Sequence, residues 1–175
     1  MHYRRSRTEG GTYFFTVNLA DRTSDLLVRE IDALRSVLRT ARQRHPFTIV
    51  AMVVLPDHLH ALWRLPPADA DFPVRWSLIK AAFSRRLPQG ERICQSRKMK
   101  RERGIWQRRY WEHLIRDDSD LAKHVDYIHY NPVKHGYVAR AADWRYSSIH
   151  RYISQGWLTA DWAAGLRIET GKFGE

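Results

Sequence analysis

A nearly unbroken apolar run is the feature that most limits how this chain can fold. The run Phe47–Leu55 (FTIVAMVVL) is followed, after Pro56 and Asp57, by the alternating segment His58–Leu65 (HLHALWRL). A continuous apolar run is typical of a central strand, and an alternating one is typical of its partner. Because only a short turn separates them, the two segments are predicted to form an antiparallel hairpin inside a sheet.

Segments on both sides of the hairpin extend this pattern. Composition and apolar spacing predict strands at Thr12–Leu19 and Trp106–Arg116, and helices at Asp25–Arg44, Asp71–Leu87 and Asp120–Tyr130. Pro132 is expected to end the last helix. The order β-α-β-β-α-β predicts an α+β, ferredoxin-like fold, in which a four-stranded antiparallel sheet carries helices on one face. The helix at Asp120–Tyr130 follows this unit as an extra C-terminal helix that carries a tyrosine. A tail with short helical pieces is expected after it.

Length and composition favour one domain. The chain has 175 residues, of which 43% are hydrophobic. We expect a single domain over residues 1–175, with a core at about 12–138, a basic loop at about 88–104 and a tail at about 139–175. The only cysteine, Cys94, excludes a disulfide framework and a zinc site built on several thiolates. Since neither a long apolar run nor a secretory signal is found, we expect a cytoplasmic protein with no membrane partner.

The charge balance points to a polyanionic partner. Lys and Arg number 30 against 19 Asp and Glu, a formal charge of +11, and a domain this basic most often binds nucleic acid. The basic loop, Pro88–Gly104, is either a solvated segment or a nucleic-acid contact that orders on binding. The residues predicted to contact phosphates are Arg4, Arg5, Arg7, Arg75, Lys80, Arg85 and Arg86. Because Trp and Tyr can stack on unpaired bases, binding is expected to favour single-stranded hairpins over linear duplex.

Two histidines open the second strand of the hairpin. His58 and His60 stand at positions i and i+2, so their side chains project to the same side of the strand. Two neighbouring imidazoles can bind one divalent cation. The spacing alone is equally consistent with two half-buried strand histidines, and the sequence leaves both interpretations open.

A polar face on the last helix forms the second candidate group. Asp120, His124, Tyr127 and Asn131 follow one another at spacings of 4, 3 and 4. This face is either the solvated side of the helix or a surface that leans toward the histidine pair. In the second case Tyr127 would be a nucleophile, Asn131 could offer a carbonyl oxygen to the metal, and Lys123 could favour the phenolate.

Several segments resemble one transposase family. PDHLHALWRLP (56–66) resembles the histidine–hydrophobic–histidine motif of the single-tyrosine HUH transposases of the insertion-sequence 200/605 class. HVDYIHYNPVKHGYV (124–138) resembles the tyrosine helix of their domesticated branch, the REP-associated tyrosine transposases, named for repetitive extragenic palindromes. The segments GGTYFFTVNL, RRYWEHLIR and DWRYSSIHRY are also similar to that branch.

The resemblance implies a function and a set of roles. It implies cleavage and joining of single-stranded DNA through a 5′-phosphotyrosine intermediate, with Mg²⁺ or Mn²⁺ as the metal and a palindromic-repeat hairpin as the partner. Carried over, the metal-binding pair falls on His58 and His60, the third ligand on Asn131 and the nucleophile on Tyr127. Apart from the resemblance, their place on the tyrosine helix makes Lys123 and His124 candidate supporting residues. Both a monomer and a homodimer remain open.

Two other classes of function compete with this one. The chain could be a non-catalytic, ferredoxin-like module that binds single-stranded nucleic acid, but it has no match to the aromatic signature of ferredoxin-like RNA-binding domains. It could also be a nuclease that uses metal and water, a chemistry that favours more carboxylates beside the histidines than Asp57 alone.

Overall fold

The fold is built on a four-stranded antiparallel sheet. The computed structural model describes residues 7–91 and 93–165. The strands are β1 (Thr12–Asn18), β2 (Thr48–Val54), β3 (His58–Arg64) and β4 (Trp111–Leu114), in the order β2-β3-β1-β4. All neighbours pair antiparallel, which confirms the ferredoxin-like arrangement.

Six helices and one 3₁₀ turn surround the sheet in the described part of the chain. They are α1 (Leu26–Arg29), α2 (Ile31–Arg44), α3 (Phe72–Arg86), α4 (Gln95–Met99), α5 (Asp118–Lys134), the 3₁₀ turn Ala141–Asp143 and α6 (Ile149–Ser154). The predicted helix 25–44 is interrupted at Glu30, and its first turn is tied to the hairpin by a 3.0 Å bond from the Leu27 amide to the Pro56 carbonyl. None of the described helices is both long enough and apolar enough to cross a membrane.

The sheet is buried on both faces, which explains why five consecutive residues of β1, from Tyr13 to Val17, are buried. Tyr13, Phe15 and Val17 point to one face and join the core under α2 and α3. Phe14, the residue between the first two, points to the other face, where the core includes Tyr127 and Ile128 of α5. The ferredoxin-like helices therefore share one face as expected, and the extra helix covers the opposite one.

α5 continues beyond the proline that was expected to stop it. The Asp117 carboxylate caps its first turn by accepting from the Asp120 amide at 2.8 Å. Pro132 cannot donate a hydrogen bond, but the His135 amide donates to the Asn131 carbonyl at 3.0 Å and the last turn is kept. The prediction that the helix ends at Tyr130 is wrong, because a proline near the C-terminal end removes one donor without preventing the final turn.

Two other segments differ from the sequence-based expectation. The fourth strand covers only Trp111–Leu114 of the predicted 106–116, and Trp106 makes an isolated bridge to Leu19. The chain after α5 lies along the outer edge of β2, where the Ser148 amide donates to the Met52 carbonyl at 2.8 Å. The Trp144 indole also donates to the Val54 carbonyl, at 2.9 Å. This edge strand is thereby covered.

A candidate active site between the sheet and α5

The histidine pair lies on the sheet face that α5 covers. His58 and His60 are buried, and their ring centroids are 4.9 Å apart. In the antiparallel pairing of β3 with β1, His58 lies opposite Asn18 and His60 lies opposite Thr16. The two histidine side chains are on the same face of the sheet as Phe14. The two imidazoles therefore lie side by side, as predicted, but inside the protein rather than at its surface.

Hydrogen bonds fix which nitrogen each imidazole can offer. The Nδ1 atom of His58 lies 2.8 Å from the Asp57 carboxylate, and the Nδ1 atom of His60 lies 2.9 Å from the Thr16 hydroxyl. With Nδ1 engaged in this way, Nε2 is the nitrogen through which each ring would ligate a metal. The Nε2 atom of His58 is buried and has no hydrogen-bond partner among the described residues.

An arginine holds the carboxylate beside His58. The Nε atom of Arg22 donates to Asp57 at 2.6 Å, and the same guanidinium also bonds Asn18. Burial alone would raise the pKa of Asp57, but the hydrogen bond to His58 and the charges of His58 and Arg22 outweigh it and lower that pKa. Asp57 therefore stays ionised and can orient His58.

Tyr127 of α5 packs against His60, the second histidine of the pair. Its ring is buried, with its centroid 5.1 Å from that of His60 and 5.8 Å from that of Phe14. The ammonium of Lys134 lies 3.4 Å from the Tyr127 hydroxyl and 5.0 Å from the ring centroid. Lys123, which the spacing suggested for this position, has an exposed side chain on the same helix.

The end of α5 reaches the first histidine. The His135 ring lies 5.2 Å from the His58 ring. Asn131 is fully buried and stands four residues from both Tyr127 and His135, so the three share one helix face above the histidine pair. Sequence reasoning missed His135 and Lys134 because it ended the helix before both of them.

His124 belongs to a separate cluster on the other side of Phe14. The Phe14 ring lies 5.5 Å from His60 and 4.8 Å from His124. His124 stacks on His113 at 4.7 Å, and ligand atoms of these two histidines and Asp120 all lie within 4.8 Å of one another, close enough to hold a cation. Burial, the largest influence, lowers the pKa of His124. The predicted polar face of α5 is therefore divided. Tyr127 contacts His60 of the histidine pair, whereas Asp120 and His124 contact His113.

The predicted phosphate contacts differ in their surroundings. Arg7, Arg85 and Arg86 are exposed, and Lys80 is partly buried and donates to the Gln107 carbonyl at 2.9 Å. Arg4 and Arg5 lie outside the described residues.

Arg75 is the member of this set that cannot meet DNA. It is only 3% exposed, and its guanidinium bonds both oxygens of Asp69, at 3.0 and 2.6 Å, and the Pro46 carbonyl at 2.8 Å. A buried guanidinium with these partners has no donor to present at the surface, so the prediction of a phosphate contact at Arg75 is wrong.

A family model identifies the class of protein that carries this fold and site. The model described as "Transposase IS200 like" matches residues 13–131, a stretch that contains the histidine pair, Tyr127 and Asn131. The chain therefore belongs to the IS200-like transposases.

Individual relatives narrow the family to one branch. The REP-associated tyrosine transposase of Escherichia coli (strain K12) is 44% identical over 164 residues, which cover 94% of this chain and 92% of the relative. A relative from Haemophilus influenzae with the same family name is 49% identical over 162 residues, 92% of each chain. The solved structure of a REP-associated tyrosine transposase bound to a REP hairpin aligns with a TM-score of 0.84 at 41% identity, covering 100% of this chain and 97% of that one. Within the family, the chain belongs to the REP-associated tyrosine transposases, enzymes that cleave and join DNA.

Proposed function

We propose that this transposase cleaves and rejoins single-stranded DNA at palindromic-repeat hairpins, with Tyr127 as the nucleophile. The observation that carries the proposal is the contact between Tyr127 and His60, centroids 5.1 Å apart, beside His58. A tyrosine hydroxyl is a weak nucleophile at neutral pH and needs a group that absorbs charge on the phosphate. Placing it next to a metal-binding pair meets that need.

The residues present fit a divalent cation. His58 has a buried Nε2 atom without a partner among the described residues, and His60 engages Thr16 through the opposite nitrogen. His58, His60 and the amide oxygen of Asn131 would hold the metal, proposed as Mg²⁺ or Mn²⁺. When bound, a divalent cation polarises a phosphodiester and stabilises the charge of its transition state.

The chain's own groups account for the covalent step. The Tyr127 oxygen loses its proton and forms a bond to phosphorus, while the bond from phosphorus to the 3′-oxygen of the preceding nucleotide breaks. That oxygen takes up a proton and leaves as a free 3′-hydroxyl, and the 5′-phosphate stays on Tyr127. Lys134, with its ammonium 3.4 Å from the hydroxyl, stabilises negative charge on the attacking oxygen. Attack by a 3′-hydroxyl on the phosphotyrosine reverses the step and rejoins the strand without a nucleotide cofactor.

Hairpin recognition is inferred from charge and from relatives. The chain carries a formal charge of +11, and a related structure contains a REP hairpin. The exposed Arg7, Arg85 and Arg86 are proposed to contact its phosphates, together with Arg4 and Arg5.

The test is a cleavage assay on the host's palindromic repeats, prepared as end-labelled single strands with Mn²⁺ or Mg²⁺. The wild-type protein should release a free 3′-hydroxyl fragment and retain the other fragment covalently on Tyr127, as located by peptide mass spectrometry. Tyr127→Phe keeps the ring and should abolish both products, whereas Tyr130→Phe and Tyr137→Phe should retain them. Cleavage without an adduct would indicate a water-using nuclease, and binding without cleavage a non-catalytic module.

A further inference from the structure

A second group of metal-ligating side chains lies at the β4 edge of the sheet, on the face that α5 covers. His113 of β4 and Asp120 and His124 of α5 each place one ligand atom within 4.8 Å of the other two. Among the described residues, this is the one group of three or more His, Cys, Asp or Glu side chains that comes so close. A tetrahedral zinc ion with bonds of about 2 Å holds its ligand atoms roughly 3.3 Å apart, so small side-chain rotations would close the group around one ion.

The backbone brings these three residues together without help from an ion. In the pairing of β4 with β1, His113 lies opposite Phe14, whose side chain belongs to the core under α5. Asp120 and His124 stand four residues apart in α5, so they share one face of its first turns. The Asp117 carboxylate accepts from the Asp120 amide at 2.8 Å and fixes where the helix begins. Strand register and helix cap therefore set the geometry of the group.

The imidazoles are already directed at the carboxylate. The Nε2 atom of His113 lies 2.8 Å from one oxygen of Asp120, and the Nδ1 atom of His124 lies 3.2 Å from the other oxygen. The His113 ring also stacks on His124, with centroids 4.7 Å apart, and on Trp111, with centroids 5.8 Å apart. Ligands that packing holds in one orientation lose little freedom when they bind a metal, and this favours affinity.

The charges of the group suit a cation. Burial would raise the pKa of Asp120, but the hydrogen bonds from His113 and from the Arg116 amide lower it to about 2, so the carboxylate is ionised. Burial lowers the pKa of His124, so its imidazole is neutral near pH 7 and keeps a lone pair for a metal. The Arg116 guanidinium lies 3.3 Å from Asp120 and competes with a metal there, but its side chain is 73% exposed and can turn into water.

We propose that His113, Asp120 and His124 form a zinc site that is distinct from the histidine pair and fastens α5 to the edge strand β4. Two imidazoles and one carboxylate are ligands that Zn²⁺ binds well, whereas Mg²⁺ prefers oxygen ligands. The His113 side chain is 25% exposed, so a water molecule can reach the ion and complete its tetrahedron.

The Phe14 ring separates this site from the histidine pair. Its centroid lies 4.8 Å from that of His124 and 5.5 Å from that of His60. Two ions that act on one phosphate are about 3.5–4 Å apart, and a ring between the two sites leaves a larger gap than that. An ion at this site would therefore hold the helix that carries Tyr127 without taking part in the covalent step. The proposal does not depend on the chemistry proposed for Tyr127.

The experiment counts the zinc ions that each metal-free protein binds at pH 7, in competition with a chromophoric zinc chelator. The proteins are the wild type, His113→Gln, His58→Gln and His150→Gln. His113→Gln removes a ligand at a half-exposed position, and His150→Gln removes an exposed histidine outside both groups as the matched control. Crystals of the wild-type protein grown with Zn²⁺ locate the ion directly, through an anomalous difference map at the zinc absorption edge, and this measurement needs no variant.

His113→Gln should bind one zinc ion fewer than the wild type and than His150→Gln. Its affinity at this site should fall at least about 100-fold, because loss of a ligand costs more than loss of a ligand's hydrogen-bond partner. His58→Gln should keep this zinc ion, and the anomalous map should show a peak between His113, Asp120 and His124. Unchanged zinc binding in His113→Gln, or a map with no peak at this group, would overturn the proposal. Since the Tyr127 adduct is scored in a separate assay, failure here and failure of the proposed chemistry are distinguishable.

Discussion

At the scale of single residues, the site depends on partners that hold the imidazoles. Asp57 and Thr16 engage Nδ1 of His58 and His60, at 2.8 and 2.9 Å. A partner at one nitrogen sets the tautomer and orientation of the ring, which determines how well the other nitrogen binds a metal. Arg22 keeps Asp57 in place by a 2.6 Å bond.

Asp57→Asn should weaken Mn²⁺ binding about 10- to 100-fold, because the carboxamide removes the charge that makes His58 a stronger ligand. Titration of free Mn²⁺ by electron paramagnetic resonance measures this directly and needs no turnover. Asp32→Asn changes an exposed aspartate on α2 and serves as the control. Unchanged Mn²⁺ affinity in Asp57→Asn would show that the Asp57 carboxylate does not orient His58 for metal binding.

The two lysines of α5 give a second prediction at this scale. Lys134→Gln should slow single-turnover cleavage by about 10- to 100-fold, because it removes a positive charge 3.4 Å from the Tyr127 oxygen, the proposed nucleophile. Lys123→Gln removes an equal charge from an exposed position on the same helix and should change the rate less than threefold or so. A larger effect at Lys123 than at Lys134 would contradict this prediction and assign the stabilisation of the Tyr127 oxygen to Lys123.

At the scale of elements, an acid–base contact joins β4 to the start of α5. His113 lies 2.8 Å from the Asp120 carboxylate, which also accepts from the Arg116 amide at 3.0 Å. Burial alone would raise the pKa of Asp120, but the His113 hydrogen bond, the Arg116 amide and the nearby histidine charges lower it to about 2. The carboxylate therefore fastens the helix to the edge strand.

This contact predicts a step in acid stability. Since the pKa falls from 3.8 unfolded to about 2 folded, the contribution of Asp120 is complete above about pH 4 and disappears as the pH falls toward 2. Its size is about 2 kcal/mol. Asp120→Asn should lower the free energy of unfolding in urea by about that amount at pH 7, and the difference from wild type should vanish near pH 2. A difference that is constant with pH would exclude the ionised carboxylate as its source.

Local pattern predicted the order of the elements and the histidine pair, because β-strand alternation and helical spacing are properties of adjacent residues. It also singled out Tyr127, whose neighbours at i−3 and i+4 are polar and whose ring lies beside His60. It missed Lys134 and His135 because a proline normally ends a helix. It misplaced Arg75 because the burial of that residue depends on Asp69 and on a carbonyl 29 residues earlier in the chain. Contacts of this kind are set by packing, which no short window of sequence contains.

At the scale of the whole molecule, charge governs the encounter with DNA. A protein with a formal charge of +11 should bind single-stranded hairpins with an affinity that falls steeply with salt. If six to ten phosphates are contacted, the loss between 50 and 200 mM salt is roughly 10³- to 10⁵-fold. Filter-binding titrations at several salt concentrations measure the slope, and a linear duplex of the same sequence should bind more weakly. Salt-insensitive binding, or equal affinity for the duplex, would contradict this electrostatic account.

The contact between His60 and Tyr127 also has a genetic consequence. Both residues belong to one chain, so every copy of the protein carries the two groups of the proposed site in contact. A mixture of His60→Ala and Tyr127→Phe proteins should remain as inactive in strand cleavage as either protein alone, because neither copy can lend the missing group to the other. Recovered cleavage in the mixture would show that α5 is exchanged between copies. Two defective alleles of this type, expressed together in one cell, should accordingly fail to complement.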